Sequence, residues 1–310
     1  MAKILITGVG GFAASHLARA LKEHEVHGTV RVRSDLSKIE DLDVKLHLVE
    51  LTDYISVENV IREVKPDQIY HLAAQSYVKS SWDSPLETYR INVEGTINIF
   101  EAVRKLGLDT AILVTSSSET YGEVEGEINE ETRQEPLTHY GISKYAQDMI
   151  ARLYHRSYGM KVIITRAFNI TGPGRGDVFV DSSFAKQIAE IENGKREKIQ
   201  HGNLGSSRDF VDVRDVVGGY IKAMESERWG EVFCFGSGKP VKISDVLAIL
   251  IDYSFKIVLT EVDPARLRPT DTKSMKCDWS KAELELDWKP EIPIENSLLD
   301  LLKSWRNKLA

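Results

Sequence analysis

Tyr140 and Lys144 lie four residues apart in the stretch HYGISKYAQDMI, and upstream of them stands the cluster Thr115-Ser116-Ser117-Ser118-Glu119. Four residues is about one helical turn, so both side chains leave the same face of a helix and can approach one ligand together. A lysine ammonium held beside a phenol favours the phenolate. The spacing therefore predicts a Tyr140 pKa below the ordinary value of about 10 and a side chain able to give and take a proton near neutrality. A plain amphipathic helix, with the tyrosine at the core edge and the lysine in water, has the same spacing. Whether the pair is chemical depends on what the rest of the chain brings to it.

The N-terminus supplies a context. KILIT, residues 3–7, is a short apolar run of the kind a buried parallel strand shows, and it is followed by Gly8-Val9-Gly10-Gly11-Phe12-Ala13-Ala14 and the helical pattern SHLARALKEH. In a dinucleotide-binding fold such glycines let the backbone turn beside a pyrophosphate, whose charge is met by the amides at the helix N-terminus. Gly8 and Gly11, with Phe12 beside them, are placed to do this. Ala14 fills the third small position, at the expense of one methyl group. An ordinary strand-to-helix turn without a ligand is the alternative.

The second strand, VHGTVRVR at 26–33, ends in arginines where an acidic residue would suit the ribose hydroxyls of an unphosphorylated dinucleotide. Arg31 and Arg33 suit a 2′-phosphate, since a guanidinium makes forked, charge-assisted contacts to phosphate oxygens. NADP(H) is the expected cofactor, with NAD(H) second. Solvated loop charges paired with Asp35 are the other reading of the two arginines. Asp53, after the third apolar run, is expected beside the adenine amino group, and Leu72, Ala73 and Ala74, after the fourth, are expected along the cofactor.

A chain of 310 residues with 42% apolar content can bury a full core and is expected to form two closely joined domains. Net charge is −7, from 40 basic and 47 acidic residues with no basic tract, which argues against nucleic acid and anionic membranes as partners. Two cysteines, Cys234 and Cys277, without a CxxC pairing argue against a disulfide scaffold or a structural zinc site, and no metal is expected. No apolar run approaches the ~20 residues that span a bilayer, and the N-terminus enters a strand without a signal-peptide pattern, so a cytoplasmic location is expected.

Strand-like runs recur at KILIT, VHGTV, KLHLVE, QIYHLA, TAILVTS and KVIITRA, with helical patterns between most of them. This alternation predicts an α/β fold, a Rossmann-type doubly wound parallel sheet over residues 1–167. Its ligands bind beyond the carboxyl ends of the strands, where the glycine turn, Ala73 to Ser76, Thr115 to Glu119 and Asn169 all fall. Residues 168–310 are less regular, with helices expected near 182–192, 213–226, 244–253 and 294–308. They predict a smaller C-terminal α/β domain that caps the substrate, some of whose segments return to the first sheet.

Together TGVGGFAAS, HLAAQS, SSSETYG, the Tyr140/Lys144 pair and RAFNITGPG resemble the extended short-chain dehydrogenase/reductase family that acts on nucleotide sugars. The resemblance covers essentially the whole chain, and the motifs keep the family's order. Within it, FAKQIAEIENGK, GNLGSSRDFVDVRDVV and EVDPARLRPTD look most like the GDP-4-keto-6-deoxy-D-mannose reductases and next most like the GDP-mannose 4,6-dehydratases. Three departures weigh against the dehydratases: their Gly-Gln-Asp-Gly loop is Gly11-Phe12-Ala13-Ala14 here, their RDW is Arg208-Asp209-Phe210, and their catalytic threonine is Ser117.

The resemblance implies a catalytic set of Ser117, Tyr140 and Lys144 with Glu119 beside it. A 4-keto group that receives a hydride needs a proton, which Tyr140 is placed to supply as Ser117 binds the same oxygen and Lys144 holds the cofactor ribose. Glu119 fits either reaction, because a dehydratase uses a glutamate there to take the C5 proton and related reductases carry one too. For the nucleotide and diphosphate the resemblance points to Asn169, Lys186, Arg208 and Arg268, with Asp271 near the base or ribose and Ser76 near the hexose. The implied activity is NADPH-dependent reduction giving GDP-D-rhamnose. A GDP-mannose 4,6-dehydratase, a 4-epimerase on another nucleotide sugar, and a non-catalytic dinucleotide sensor are the rivals. Apolar residues on several faces of the helices expected at 87–106 and 140–158, among them Ile91, Ile97, Ile99, Met149, Ile150, Leu153 and Tyr154, predict a homodimer built on a helical bundle.

Overall fold

Alternating strands and helices put the first half of the chain into one sheet. In the computed structural model, which describes residues 1–124, 126–266 and 275–310, this half comprises β1 (Lys3–Thr7), α1 (Phe12–Ala20), β2 (Glu25–Val30), β3 (Lys45–Leu48), α2 (Tyr54–Val64), β4 (Gln68–His71), α3 (Val78–Asp83), α4 (Pro85–Tyr89), a π-helical stretch Arg90–Glu94, α5 (Gly95–Lys105), β5 (Ala111–Thr115), β6 (Glu127–Ile128), α6 (His139–Tyr158) and β7 (Val162–Ala167). There follow β8 (Asn169–Thr171), α7 (Val180–Glu192), β9 (Lys198–His201), β10 (Ser207–Asp212), α8 (Val213–Glu225), β11 (Val232–Phe235), β12 (Pro240–Lys242), α9 (Ile243–Asp252), β13 (Leu259–Val262), β14 (Lys276–Cys277), α10 (Ser280–Leu286) and α11 (Ile294–Leu309).

Seven strands form one all-parallel sheet in the order β11-β7-β5-β4-β1-β2-β3. Its strands read as continuous apolar runs because helices cover both faces. Alternate residues serve alternate sides: Ile4 and Ile6 of β1 pack with Leu17 of α1 and Val216 of α8, whereas Leu5 packs with α2, α5 and α6 through Val57, Val103 and Ala151. The seventh strand, β11, comes from beyond residue 168, so the sheet draws on both halves of the sequence. KLHL at the far edge is a strand as expected, but Leu46 and Leu48 are exposed there.

The remaining segments build a second unit. Here β8 and β12 flank β10, and a third core, around Phe184, Ile188, Leu250, Leu301 and Trp305, is made by α7, α9 and α11. On α5 and α6 the apolar residues divide: Ile99 and Tyr154 are buried within the protomer, whereas Ile97, Met149 and Leu153 face outward with Tyr158. Among the described residues no helix is long and apolar enough to cross a membrane, and no group of three or more His, Cys, Asp or Glu is placed to hold a metal. Both cysteines are free and buried.

Candidate active site

The order of the sheet reverses between β1 and β4, and there a single cleft opens at the carboxyl ends of the strands. Its volume is about 1850 Å³. Pockets for one small ligand run to about 300–1,000 Å³, so this cleft has room for two large ligands side by side. At one end β1 runs into Gly8, whose φ of +68° favours glycine and whose Cβ, if it had one, would sit 3.1 Å from that of Ala73. Thr29 Oγ1 accepts the Gly8 N–H at 3.0 Å, and Thr7 Oγ1 accepts that of Ala73, also at 3.0 Å. Gly11 caps α1, leaving the first-turn amides of Phe12, Ala13 and Ala14 along the cleft wall without intrahelical partners.

Tyr140, Ser117, Glu119 and Lys144 come together in the middle of the cleft. The helix that carries Tyr140 and Lys144 is stopped at both ends. Thr138 Oγ1 accepts the Gly141 N–H at 2.9 Å, and Gly159, at a φ of 66°, closes the C-terminus onto the His155 carbonyl. Tyr140 and Lys144 are 8% and 3% exposed. Burial pushes the Tyr140 phenol up to about 12, against a hydrogen bond from Ser117 that favours the phenolate; the Glu119 carboxylate raises it further and the Arg175 guanidinium lowers it.

This corrects the expectation that Lys144 makes Tyr140 acidic. The Lys144 Nζ donates to the Thr115 carbonyl at 2.7 Å, and burial pushes its pKa down to about 7. An anionic dinucleotide laid against Lys144 should restore its charge, so cofactor binding should take up a proton above pH 7, and affinity should fall as pH rises, by roughly tenfold per unit at most. Calorimetry of NADPH binding in buffers of different ionisation heat checks this: uptake near pH 8 that Lys144→Met abolishes is expected, and heats independent of buffer would contradict it.

Two buried networks brace the group. Asn92, in the π-helical stretch, accepts the Gln75 N–H at 2.8 Å, donates to the Gln75 carbonyl at 3.1 Å, and donates to Ser143 Oγ at 2.8 Å. It thereby ties the segment after β4 to the helix turn between Tyr140 and Lys144. Behind the turn at Ser118–Thr120, Arg166 donates to Asp148 at 2.8 Å, the Tyr121 hydroxyl at 2.8 Å, the Glu130 carbonyl at 2.9 Å and Gln134 Oε1 at 3.1 Å.

The other expected positions fall as follows. Gly8, Gly11, Phe12, Arg31, Arg33, Leu72, Ala73, Ala74, Ser76, Asn169, Lys186 and Arg208 all line the cleft. Arg31 and Arg33 are exposed at its outer end, where Asp35 accepts the Ser37 N–H at 3.0 Å. Lys186 pairs with Asp177 at 2.6 Å on the rim. Arg208 donates to the Ser207 carbonyl at 2.8 Å, and its neighbour Asp209 is fully buried, accepting from Ser237, Gly238 and the Cys277 N–H. Gln75 holds a turn, its Oε1 accepting the Tyr77 N–H at 2.7 Å. Arg268 and Asp271 lie outside the described residues. Asp53 caps α2, its Oδ1 accepting the Ile55 N–H at 3.0 Å, and Val49, Glu50 and Leu51 just before it line that wall of the cleft. Sequence reasoning missed Asn92, Tyr77, Arg175 and Phe179. Only Arg175 carried a signal, an arginine in a Gly- and Pro-containing turn directly after a strand.

Comparison with known proteins agrees with this architecture. The sequence profile of the GDP-mannose 4,6 dehydratase family matches residues 5–301. GDP-6-deoxy-D-mannose reductase of Pseudomonas aeruginosa is 30% identical over 99% of this chain and 98% of its own length. GDP-mannose 4,6-dehydratase of Yersinia enterocolitica is 31% identical over 97% of this chain and 93% of its own. Among solved structures, RMD from Pseudomonas aeruginosa complexed with NADPH superposes with a TM-score of 0.87 at 28% identity, covering 99% of this chain and all of that one.

Proposed function

The chain belongs to the GDP-mannose 4,6 dehydratase family of the extended short-chain dehydrogenases/reductases, and from that premise we propose that it is an NADPH-dependent reductase. Its substrate is the 4-keto group of GDP-4-keto-6-deoxy-D-mannose and its product GDP-D-rhamnose, made in the cytoplasm by a homodimer. The observation that carries this reading is the placement of Tyr140 and Ser117, hydrogen-bonded to each other in the cleft beside Lys144. Burial raises the phenol's pKa to about 12, so at neutral pH Tyr140 holds the proton that a ketone reduction takes up. The reductase relative, matched over nearly the whole of both chains, and the departures at Phe12-Ala13-Ala14, Ser117 and Phe210 support the same direction.

The residues at the cofactor end fit a dinucleotide: a glycine turn, a helix N-terminus and two exposed arginines in a row along one wall. NADPH, when bound, supplies the hydride. Tyr140 gives its proton to the oxygen of the former ketone, Ser117 hydrogen-bonds that oxygen and the phenol, and Lys144 meets the cofactor's ribose. Asn169, Lys186 and Arg208 at the other end offer donors to a nucleoside diphosphate. Arg33→Ala should raise the KM for NADPH by about 10- to 100-fold, the effect of one charge-assisted hydrogen bond, and leave that for NADH unchanged. Equal loss with both cofactors in steady-state assays would place Arg33 elsewhere.

Glu119, half-buried in the cleft two residues from Ser117, keeps the lyase reading in play. Incubating the protein with GDP-mannose and no added reductant separates the two. The reductase yields no keto sugar; its appearance would assign the dehydratase reaction. The outward Ile97, Met149, Leu153 and Tyr158 support the dimer, which a monomer in sedimentation at micromolar concentration would discard.

A further inference from the structure

A column of side chains crosses the cleft beside Tyr140. Phe12 opens α1, and the Arg175 guanidinium lies 5.6 Å from the centre of its ring and 3.9 Å from that of Phe179. Phe179 in turn meets Tyr77 edge to face, with ring centres 6.1 Å apart and planes at 73°. Phe12 and Tyr77 follow β1 and β4, whereas Arg175 and Phe179 belong to the segment between β8 and α7, so the column joins the two units across the cavity that all four line. Arg175 is 9% exposed and pairs with the buried Asp181 carboxylate, its Nε 3.3 Å from Oδ1. The buried ion pair and the two rings together hold its guanidinium in place. Arg175 also lies near enough to Tyr140 for its charge to act on the phenol.

We propose that Phe179 and Tyr77 form the wall against which the hexose of the substrate packs, with Arg175 holding the Phe179 ring from behind. The proposal rests on the nucleotide-sugar reading above. The atom that takes the proton must come within about 3 Å of the Tyr140 oxygen, so the sugar ring that carries it reaches the column. A pyranose presents C–H groups on its faces and hydroxyls at its rim. Aromatic rings give those faces a large rigid apolar surface at low entropy cost, and both rings are only half-buried and so able to receive it. Ser76, Ser117 and Glu119, in the same stretch of the cleft, are left for the rim hydroxyls. A 6-deoxy sugar, with a methyl group at C5, presents still more apolar surface. Phe179 and Tyr77 are thus specificity residues for the sugar and not for the nucleotide.

The test compares, by calorimetry at saturating NADPH, GDP-mannose with GDP and UDP-glucose with UDP, on the wild type, Phe179→Ala, Phe179→Leu, Phe179→Tyr and Tyr77→Ala. In the wild type each sugar nucleotide that binds should bind more tightly than its bare nucleoside diphosphate. That preference should fall by about tenfold or more in Phe179→Ala and Tyr77→Ala. It should survive in Phe179→Tyr, and affinity for the bare nucleotide and for NADPH should stay within about twofold. Phe179→Leu keeps an apolar core contact without the flat faces, so it should lose the preference too and serves if the alanine variant does not fold. An unchanged preference, an equal loss of bare nucleotide, a loss of NADPH, or a wild type with no preference for the sugar would overturn the wall. Tighter binding of UDP-glucose than of GDP-mannose would instead overturn the GDP-sugar reading, and the wall would then be judged on the UDP pair.

Discussion

Tyr140→Phe should slow the chemical step by about 10²- to 10⁴-fold, the range that a positioned general acid contributes. The substitution removes one oxygen from a ring that is 8% exposed and leaves the packing around it intact. It also removes the phenol that hydrogen-bonds the Ser117 hydroxyl. Binding should change little, since the phenol's work is done at the transition state. The expected pattern is therefore a fall in kcat with kcat/KM falling in proportion. Single-turnover measurement of NADPH oxidation checks it, and a variant within tenfold of the wild type would move the proton donor to another group.

Arg166→Met should be the most damaging substitution for stability, by about 3–5 kcal/mol, because it strands a buried carboxylate. Asp148 is fully buried and Arg166 is 1% exposed. The remaining cation at Asp148, Arg152 at 2.8 Å, reaches only its other oxygen. The change also frees the Tyr121 hydroxyl, the Glu130 carbonyl and Gln134, which together anchor the turn that carries Ser117 and Glu119. A second substitution, Asp148→Leu, should restore part of the loss by removing the stranded charge. Denaturant unfolding of the single and double variants measures this. A single-variant loss below about 1 kcal/mol would mean that the network is not holding the turn.

What could be read in the sequence, and what could not, divides along physical lines. The helix expected at 140–158 is found at His139–Tyr158, because Thr138 and Gly159 mark its ends locally. Six apolar runs predicted the parallel sheet: the inner strands, covered on both faces, have no polar side to show, whereas β3 at the edge is exposed. The π-helical stretch at Arg90–Glu94, where Asn92 bridges two other elements, left no trace in the residue pattern. Asp53, just before α2, is also a local cap signal, and its Oδ1 fulfils it. The shared face of Tyr140 and Lys144 was legible in their spacing, but not that burial would outweigh the lysine's charge or that its ammonium would turn to the Thr115 carbonyl. Nor can any pattern along the chain bring Phe12 to Arg175, or Tyr77 to Phe179. Those contacts exist only once β1, β4 and the segment before α7 converge on one cleft.

The central claim is that the cleft reduces a 4-keto nucleotide sugar. It is tested most directly by following nicotinamide absorbance when the purified protein and NADPH receive GDP-4-keto-6-deoxymannose, with Tyr140→Phe alongside. Stoichiometric loss of NADPH in the wild type, with the variant inert, is the predicted result. No consumption of NADPH, together with a keto sugar formed from GDP-mannose without added reductant, would contradict it and make Glu119 the centre of a dehydratase mechanism.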